Sequence, residues 1–169
     1  MLKPIEDHIK EGLSVLFVGF NPSLRSSETG HHFANPNNRF WTILHKAGMT
    51  ERKYMPEEDS RLLHLGYGLT NIVQRPTKAA DEITKDEFRK GREVLIQKIS
   101  QYKPEIVCFV GKGVYQEYSG KRDIDWGVQA ESVVKGTTDF VAPSSSGLVR
   151  MKLDDIVSIY SELPSLIKG

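Results

Sequence analysis

Val15-Leu16-Phe17-Val18-Gly19-Phe20-Asn21-Pro22-Ser23 is the stretch on which the reading of this chain turns. Four consecutive apolar residues, three of them β-branched or aromatic, predict a short strand over 14–19 that is buried on both faces. Glycine ends it, and a carboxamide and a proline open a polar loop. In open α/β sheets, ligands gather beyond the carboxyl ends of the strands. Asn21 therefore stands where chemistry is usually done. On its own, Asn21-Pro22 reads as a turn, since both residue types are common there.

Working outward, residues 20–38 read as one long loop containing Pro22, Gly30 and Pro36. Phe40, Ile43, Leu44 and Ala47 recur at helical spacing before Gly48, predicting a helix over 39–47. A short helix is expected over 57–65 and a strand over 68–73. Thr84-Lys85-Asp86-Glu87 fits a capping box, opening a helix with Phe88, Leu95, Ile99 and Tyr102 on one face. Pro104 breaks the chain, and 106–110 is a second wholly apolar strand. A short helix follows through Tyr118. Residues 132–135 and 139–142 read as a hairpin or as neighbouring strands around Gly136. Leu153, Ile156, Val157, Tyr160 and Leu163 form the stripe of a C-terminal helix. Strands alternating with helices predict an α/β fold, a mostly parallel sheet covered on both faces, in a single domain over 1–169.

The 169 residues are 38% hydrophobic and 27% charged, with a net charge of +1. No overall basic field announces a nucleic-acid partner, so any such binding must come from a local patch. The one cysteine, Cys108, sits in an apolar run and reads as a small buried hydrophobe in a reducing compartment. No membrane span is expected, and residues 1–11 are too polar for a signal peptide.

Three strand-end loops stand out: 21–38, Gly111-Lys112-Gly113, and Pro143-Ser144-Ser145-Ser146-Gly147-Leu148-Val149-Arg150. A dinucleotide turn at the second lacks its third glycine, because Gln116 stands there. His31-His32 suggests a metal, yet no cysteine or carboxylate lies beside them at ligand spacing, and loop hydrogen bonding or stacking is the better reading. The serines at 144–146 lack the glycine-flanked elbow of a nucleophile. They read better as a turn offering amides and hydroxyls to an anion.

Together these segments resemble the mismatch-specific uracil/thymine DNA glycosylases of the uracil-DNA glycosylase superfamily. Gly19-Phe20-Asn21-Pro22-Ser23 is similar to the catalytic motif Gly-Ile-Asn-Pro-Gly, with Ser23 in place of the second glycine. Gly30-His31-His32-Phe33-Ala34-Asn35-Pro36-Asn37-Asn38-Arg39-Phe40-Trp41 is similar to the substrate-pocket loop and its following helix. Residues 143–150 are similar to the DNA-intercalating loop. They combine the serines of the thymine-processing branch with the Gly147-Leu148 of the bacterial uracil branch. The stretch 68–77 and the helix through Pro104 match in order and spacing.

The resemblance implies a three-layer α/β/α sandwich and a monofunctional hydrolase that flips a base from the duplex and needs no metal or other cofactor. Its partner would be double-stranded DNA carrying a G:U or G:T mismatch, and a monomer is expected. The location would be cytoplasmic in a bacterium and nuclear in a eukaryote. Asn21 would hold the attacking water; a neutral amide takes up no proton near pH 7, so it would orient rather than ionise it. Phe33 would stack on the flipped base, and Asn71 with the backbone of the first loop, Phe20 and Ser23 included, would recognise the base edge. Ser26 and His32 would face the pyrimidine 5-substituent. Leu148 would be the wedge, on a DNA-contacting loop of Ser145, Ser146, Gly147, Leu148, Val149 and Arg150. The plainer reading of Leu148 packs it under the C-terminal helix. Arg75, Lys78, Lys112, Arg150 and Lys152 are candidate phosphate contacts.

Overall fold

The computed structural model describes residues 3–168. The apolar runs form strands β1 (Val15–Gly19), β2 (Tyr67–Asn71) and β3 (Ile106–Val110). Two more follow, β4 (Gly127–Val128) and β5 (Thr138–Ala142). The order across the sheet is β2-β1-β3-β5-β4, parallel except for the edge strand β4. Gly19 pairs with Asn71, so β1 and β2 end level with each other.

Successive side chains of a strand point to opposite faces, and the core divides accordingly. Val15, Phe17, Cys108 and Phe140 face helices α2 (Phe40–Lys46) and α5 (Leu153–Tyr160), meeting Phe40, Ile43, Leu44, Ile156 and Tyr160. Leu16, Val18, Val107, Phe109 and Val141 face α3 (Lys85–Tyr102) and α4 (Lys112–Ser119). Each buried large side chain contributes about 1.5–3 kcal/mol by leaving water. Burial also pushes the Cys108 thiol up, which keeps it protonated and inert. The three-layer α/β/α arrangement is the one expected. Among the described residues, no helix is long and apolar enough to cross a membrane.

The capping box holds: the Thr84 hydroxyl accepts from the Glu87 amide at 3.1 Å, and the Glu87 carboxylate accepts from the Thr84 amide at 2.8 Å. Four readings need correction. Residues 20–38 are not all loop, because α1 (Leu24–Thr29) lies within them. The helix expected over 57–65 is a 3-10 helix, Pro56–Leu65. The C-terminal stripe is split, α5 ending at Tyr160 and a short α6 (Leu163–Leu166) carrying Leu163. Residues 132–135 form no strand; β5 pairs instead with β4. Side chains have taken the groups a ladder would use: the Ser132 hydroxyl donates to the Thr137 carbonyl, and the Asp139 carboxylate accepts from the Val133 amide.

Candidate active site

The loops after β1 and β2 continue the parallel pairing beyond the strands. The amides of Ile72, Val73 and Thr77 donate to the carbonyls of Gly19, Phe20 and Pro22 at 2.9, 2.9 and 3.2 Å. This seam fixes Asn21. Its Nδ2 donates at 2.8 Å to the Arg75 carbonyl and at 2.8 Å to Thr77 Oγ1. The Thr77 hydroxyl passes its own proton to the Ala79 carbonyl at 2.8 Å, so it can only accept from Asn21. Both amide protons are thus used, and the orientation of the carboxamide is forced. Oδ1 is left as a fixed acceptor, able to hold a water by its proton. The Arg75 side chain anchors the same seam, its guanidinium donating to Glu87 at 2.6 and 3.1 Å and to the Glu82 carbonyl at 2.9 Å. That pairing holds the Glu87 carboxyl near a pKa of about 2. Arg75 is therefore not a free phosphate contact.

Asn21 lines a cavity of about 580 Å³ together with Ser23, Ser26, His32, Phe33, Asn71 and the tip Ser146-Gly147-Leu148. Among the described residues, no aspartate or glutamate lines it. Phe33 forms one wall. Its ring stacks on Phe40, with centroids 4.0 Å apart and planes 14° from parallel. Its φ of 51° is unusual for a non-glycine residue. The stack and the bond from Trp41 Nε1 to the Phe33 carbonyl (3.3 Å) hold it there. Asn71, at the end of β2, is buried, and its carboxamide has no partner among the described residues. Asn71 can approach because position 19 is glycine: a Cβ there would lie 2.8 Å from Asn71 Oδ1.

Ser23 takes a structural role that explains its presence. It caps α1, its hydroxyl accepting from the Ser26 amide at 3.0 Å and donating to Ser26 Oγ at 3.1 Å. Ser26 Oγ also accepts from the Ala34 amide at 3.1 Å, tying α1 to the Phe33 loop. The Phe20 side chain does not line the cavity, so any part the residue takes in holding a base falls to its backbone. The ring continues the alternation of Leu16 and Val18 toward α3 and α4, resting near Phe88 at 5.9 Å and against Gly113.

The loop after β5 is built to protrude. The Ser144 hydroxyl accepts from the Ser146 amide and the Ser146 hydroxyl from the Leu148 amide, each at 3.2 Å. Arg39 braces it from below: its amide donates to the Ser145 carbonyl at 2.8 Å, and its guanidinium to Ser146 and Val149 carbonyls at 3.2 and 3.4 Å. Gly147 packs on the pocket loop so closely that a Cβ would lie 2.5 Å from the Asn37 carbonyl oxygen. Leu148 at the tip is 93% exposed and does not pack under the C-terminal helix. Ser145 is buried, Val149 packs partly against the α2–α5 core, and Arg150 is exposed.

Behind the cavity, Asp59 gathers three histidines. Its carboxylate accepts from the His32 amide at 2.8 Å and lies 3.2 Å from both His8 Nε2 and His31 Nδ1. Burial raises the Asp59 pKa, but the bonds from His8 and His32 outweigh it and leave the carboxyl below its ordinary value. The same bond from Asp59 raises His8. Burial lowers His32, whose Nε2 meets the Glu6 carbonyl at 2.8 Å. Among the described residues, His8, His32 and Asp59 are the group whose donor atoms gather closely enough for a metal, within 4.8 Å. Hydrogen bonds account for the cluster. Sequence reading missed Asp59 and His8 because they lie far along the chain from His31-His32, and missed Thr77 for the same reason. Its signal was available: adjacent parallel strands bring their following loops together.

The Gly111-Lys112-Gly113 loop offers little to a nucleotide. The Gly111 amide donates to Ala142 at 2.7 Å, and the Lys112 ammonium lies over the Trp126 ring at 4.3 Å. The level strand ends, a cavity without a carboxylate among its described lining residues and the protruding loop define an α/β protein that can hold a planar ligand beside an exposed apolar tip. The chain belongs to the Uracil DNA glycosylase superfamily, whose pattern it matches over residues 6–163. The fold is also that of a Methanosarcina acetivorans protein solved by NMR and described as a candidate uracil DNA glycosylase. The two share 21% identity with a TM-score of 0.62, over 97% of this chain and 99% of that one.

Proposed function

We propose that this protein is a monofunctional DNA glycosylase that removes uracil opposite guanine, with thymine and ethenocytosine as further candidate substrates. The observation that carries the reading is the locked Asn21 carboxamide inside a cavity without a carboxylate, beside the exposed Leu148.

The mismatched nucleotide swings into the cavity, a step less costly at a mismatch than at a normal pair. Leu148 fills the gap it leaves. The base stacks on the free face of Phe33, a contact worth about 1–3 kcal/mol. The Asn71 carboxamide offers one donor and one acceptor to the pyrimidine edge. Asn21 Oδ1 holds a water against the sugar. The C1′–N1 bond breaks with its electron pair leaving on the base. The water oxygen bonds to C1′, and its proton passes to solvent or to the departing base.

With no carboxylate among the described lining residues to act as general base, and with Asn21 unable to take up a proton, the rate depends on leaving-group stability, so uracil should outrun thymine. Ser26 and His32 bear on whether a 5-methyl group is admitted. Because Ser23 serves as a helix cap, its departure from the family motif leaves Asn21 undisturbed and favours an active enzyme over a catalytically weak mismatch-binding protein.

The test is alkaline strand scission of a labelled G·U duplex after incubation with protein. Cleavage by the wild type and a loss of about 10²–10³-fold in Asn21→Ala, with duplex binding retained, is expected. Equal cleavage by both proteins would remove Asn21 from its role.

A further inference from the structure

We propose that Lys78 forms a phosphodiester subsite at the rim of the cavity, holding a backbone phosphate next to the extruded nucleotide. The proposal rests on the functional reading above. Among the described residues, two cationic side chains line the cavity, Arg39 and Lys78. Arg39 is committed to the carbonyls of Ser146 and Val149. Of the other candidate phosphate contacts, Arg75 is paired with Glu87, Lys112 lies over Trp126, and Arg150 and Lys152 are exposed outside the cavity lining. Lys78 is exposed, and its ammonium has no partner among the described residues.

Its root is nevertheless fixed. Thr77 is buried, its amide bonded to Pro22 and its hydroxyl set between Asn21 and the Ala79 carbonyl. The backbone on either side of Lys78 is therefore held, and the side chain alone is free. A sugar presented to a water on Asn21 carries its own phosphates close to C1′. The residue rooted one position from Thr77 is placed to meet one of them. A compact, strongly hydrated ammonium suits a phosphate as a point charge. The cavity offers it no carboxylate as a rival partner. Such a contact holds ground state and transition state alike, so it acts on KM and leaves kcat in place.

The experiment measures anisotropy of a labelled duplex carrying G opposite uncleavable 2′-fluoro-2′-deoxyuridine, between 50 and 200 mM salt. Losing one phosphate contact should reduce the slope of log K against log salt by about 0.9 in Lys78→Gln, and Lys78→Arg should restore it. On the cleavable G·U duplex, KM should rise about 5- to 10-fold with kcat within twofold. A neutral methylphosphonate at the contacted linkage should weaken wild type and cost Lys78→Gln nothing further. An unchanged slope, or losses that add, would overturn the subsite. Wild type that binds with the expected slope difference but releases no uracil supports the subsite and counts against the glycosylase reading alone.

Discussion

Thr77→Val tests whether the orientation of Asn21 governs the chemical step. Thr77 is 4% exposed and absent from the cavity lining, so an isosteric valine changes no surface that a substrate could touch. What it removes is the acceptor 2.8 Å from Asn21 Nδ2 and the donor 2.8 Å from the Ala79 carbonyl. One hydrogen bond of this kind is worth about 1 kcal/mol net, with more lost where a donor is left unpaired. The carboxamide then keeps only its bond to the Arg75 carbonyl, and its two ends compete for the water. About 1.4 kcal/mol of lost orientation corresponds to tenfold in rate. We expect kcat on a G·U duplex to fall about tenfold under single-turnover conditions, with KM within twofold. Thr77→Ser, which keeps the hydroxyl, should recover most of it. Wild-type kcat in Thr77→Val, or equal losses in the valine and serine variants, would refute the reasoning.

Two further outcomes follow from the geometry. Leu148→Ala should leave thermal stability unchanged, because the side chain is 93% exposed, yet slow release from duplex about tenfold more than from single-stranded DNA, measured by alkaline scission; an equal loss on both would end the wedge assignment. His8→Ala should be most destabilising below pH 6.5. The bond to Asp59 raises the folded pKa of His8 above its ordinary 6.5, so its contribution is complete below that value and is lost as pH rises through the folded one. Urea melts should show a deficit of about 1–2 kcal/mol at pH 5.8 that shrinks by pH 9, and a deficit independent of pH would refute it.

What the sequence carried was local. The buried strands at 15–19 and 106–110 announced themselves through unbroken apolar runs, and the capping box at Thr84 through the spacing of Thr84 and Glu87. The residues alone placed Leu148 under the C-terminal helix; the family resemblance singled it out as a tip residue, and the fold exposes it. What escaped was set by partners distant in the chain. Asn21 owes its orientation to a threonine 56 residues away. His31 and His32 owe theirs to Asp59, 28 and 27 residues on. The helix after Pro22 was hidden because its cap, Ser23, was read as a departure in a motif rather than as a cap.

Arg39 and Phe40 are consecutive, and the peptide between them joins two distant tasks. Arg39 carries the carbonyls of the protruding loop; Phe40 carries the ring on which Phe33 lies. On the proposed function, a push on Leu148 from a duplex would reach, through this pair of residues, the wall proposed to receive the base. Probing and capture would then be one lever, and a change that reshapes the receiving wall would also reset how hard the tip must press.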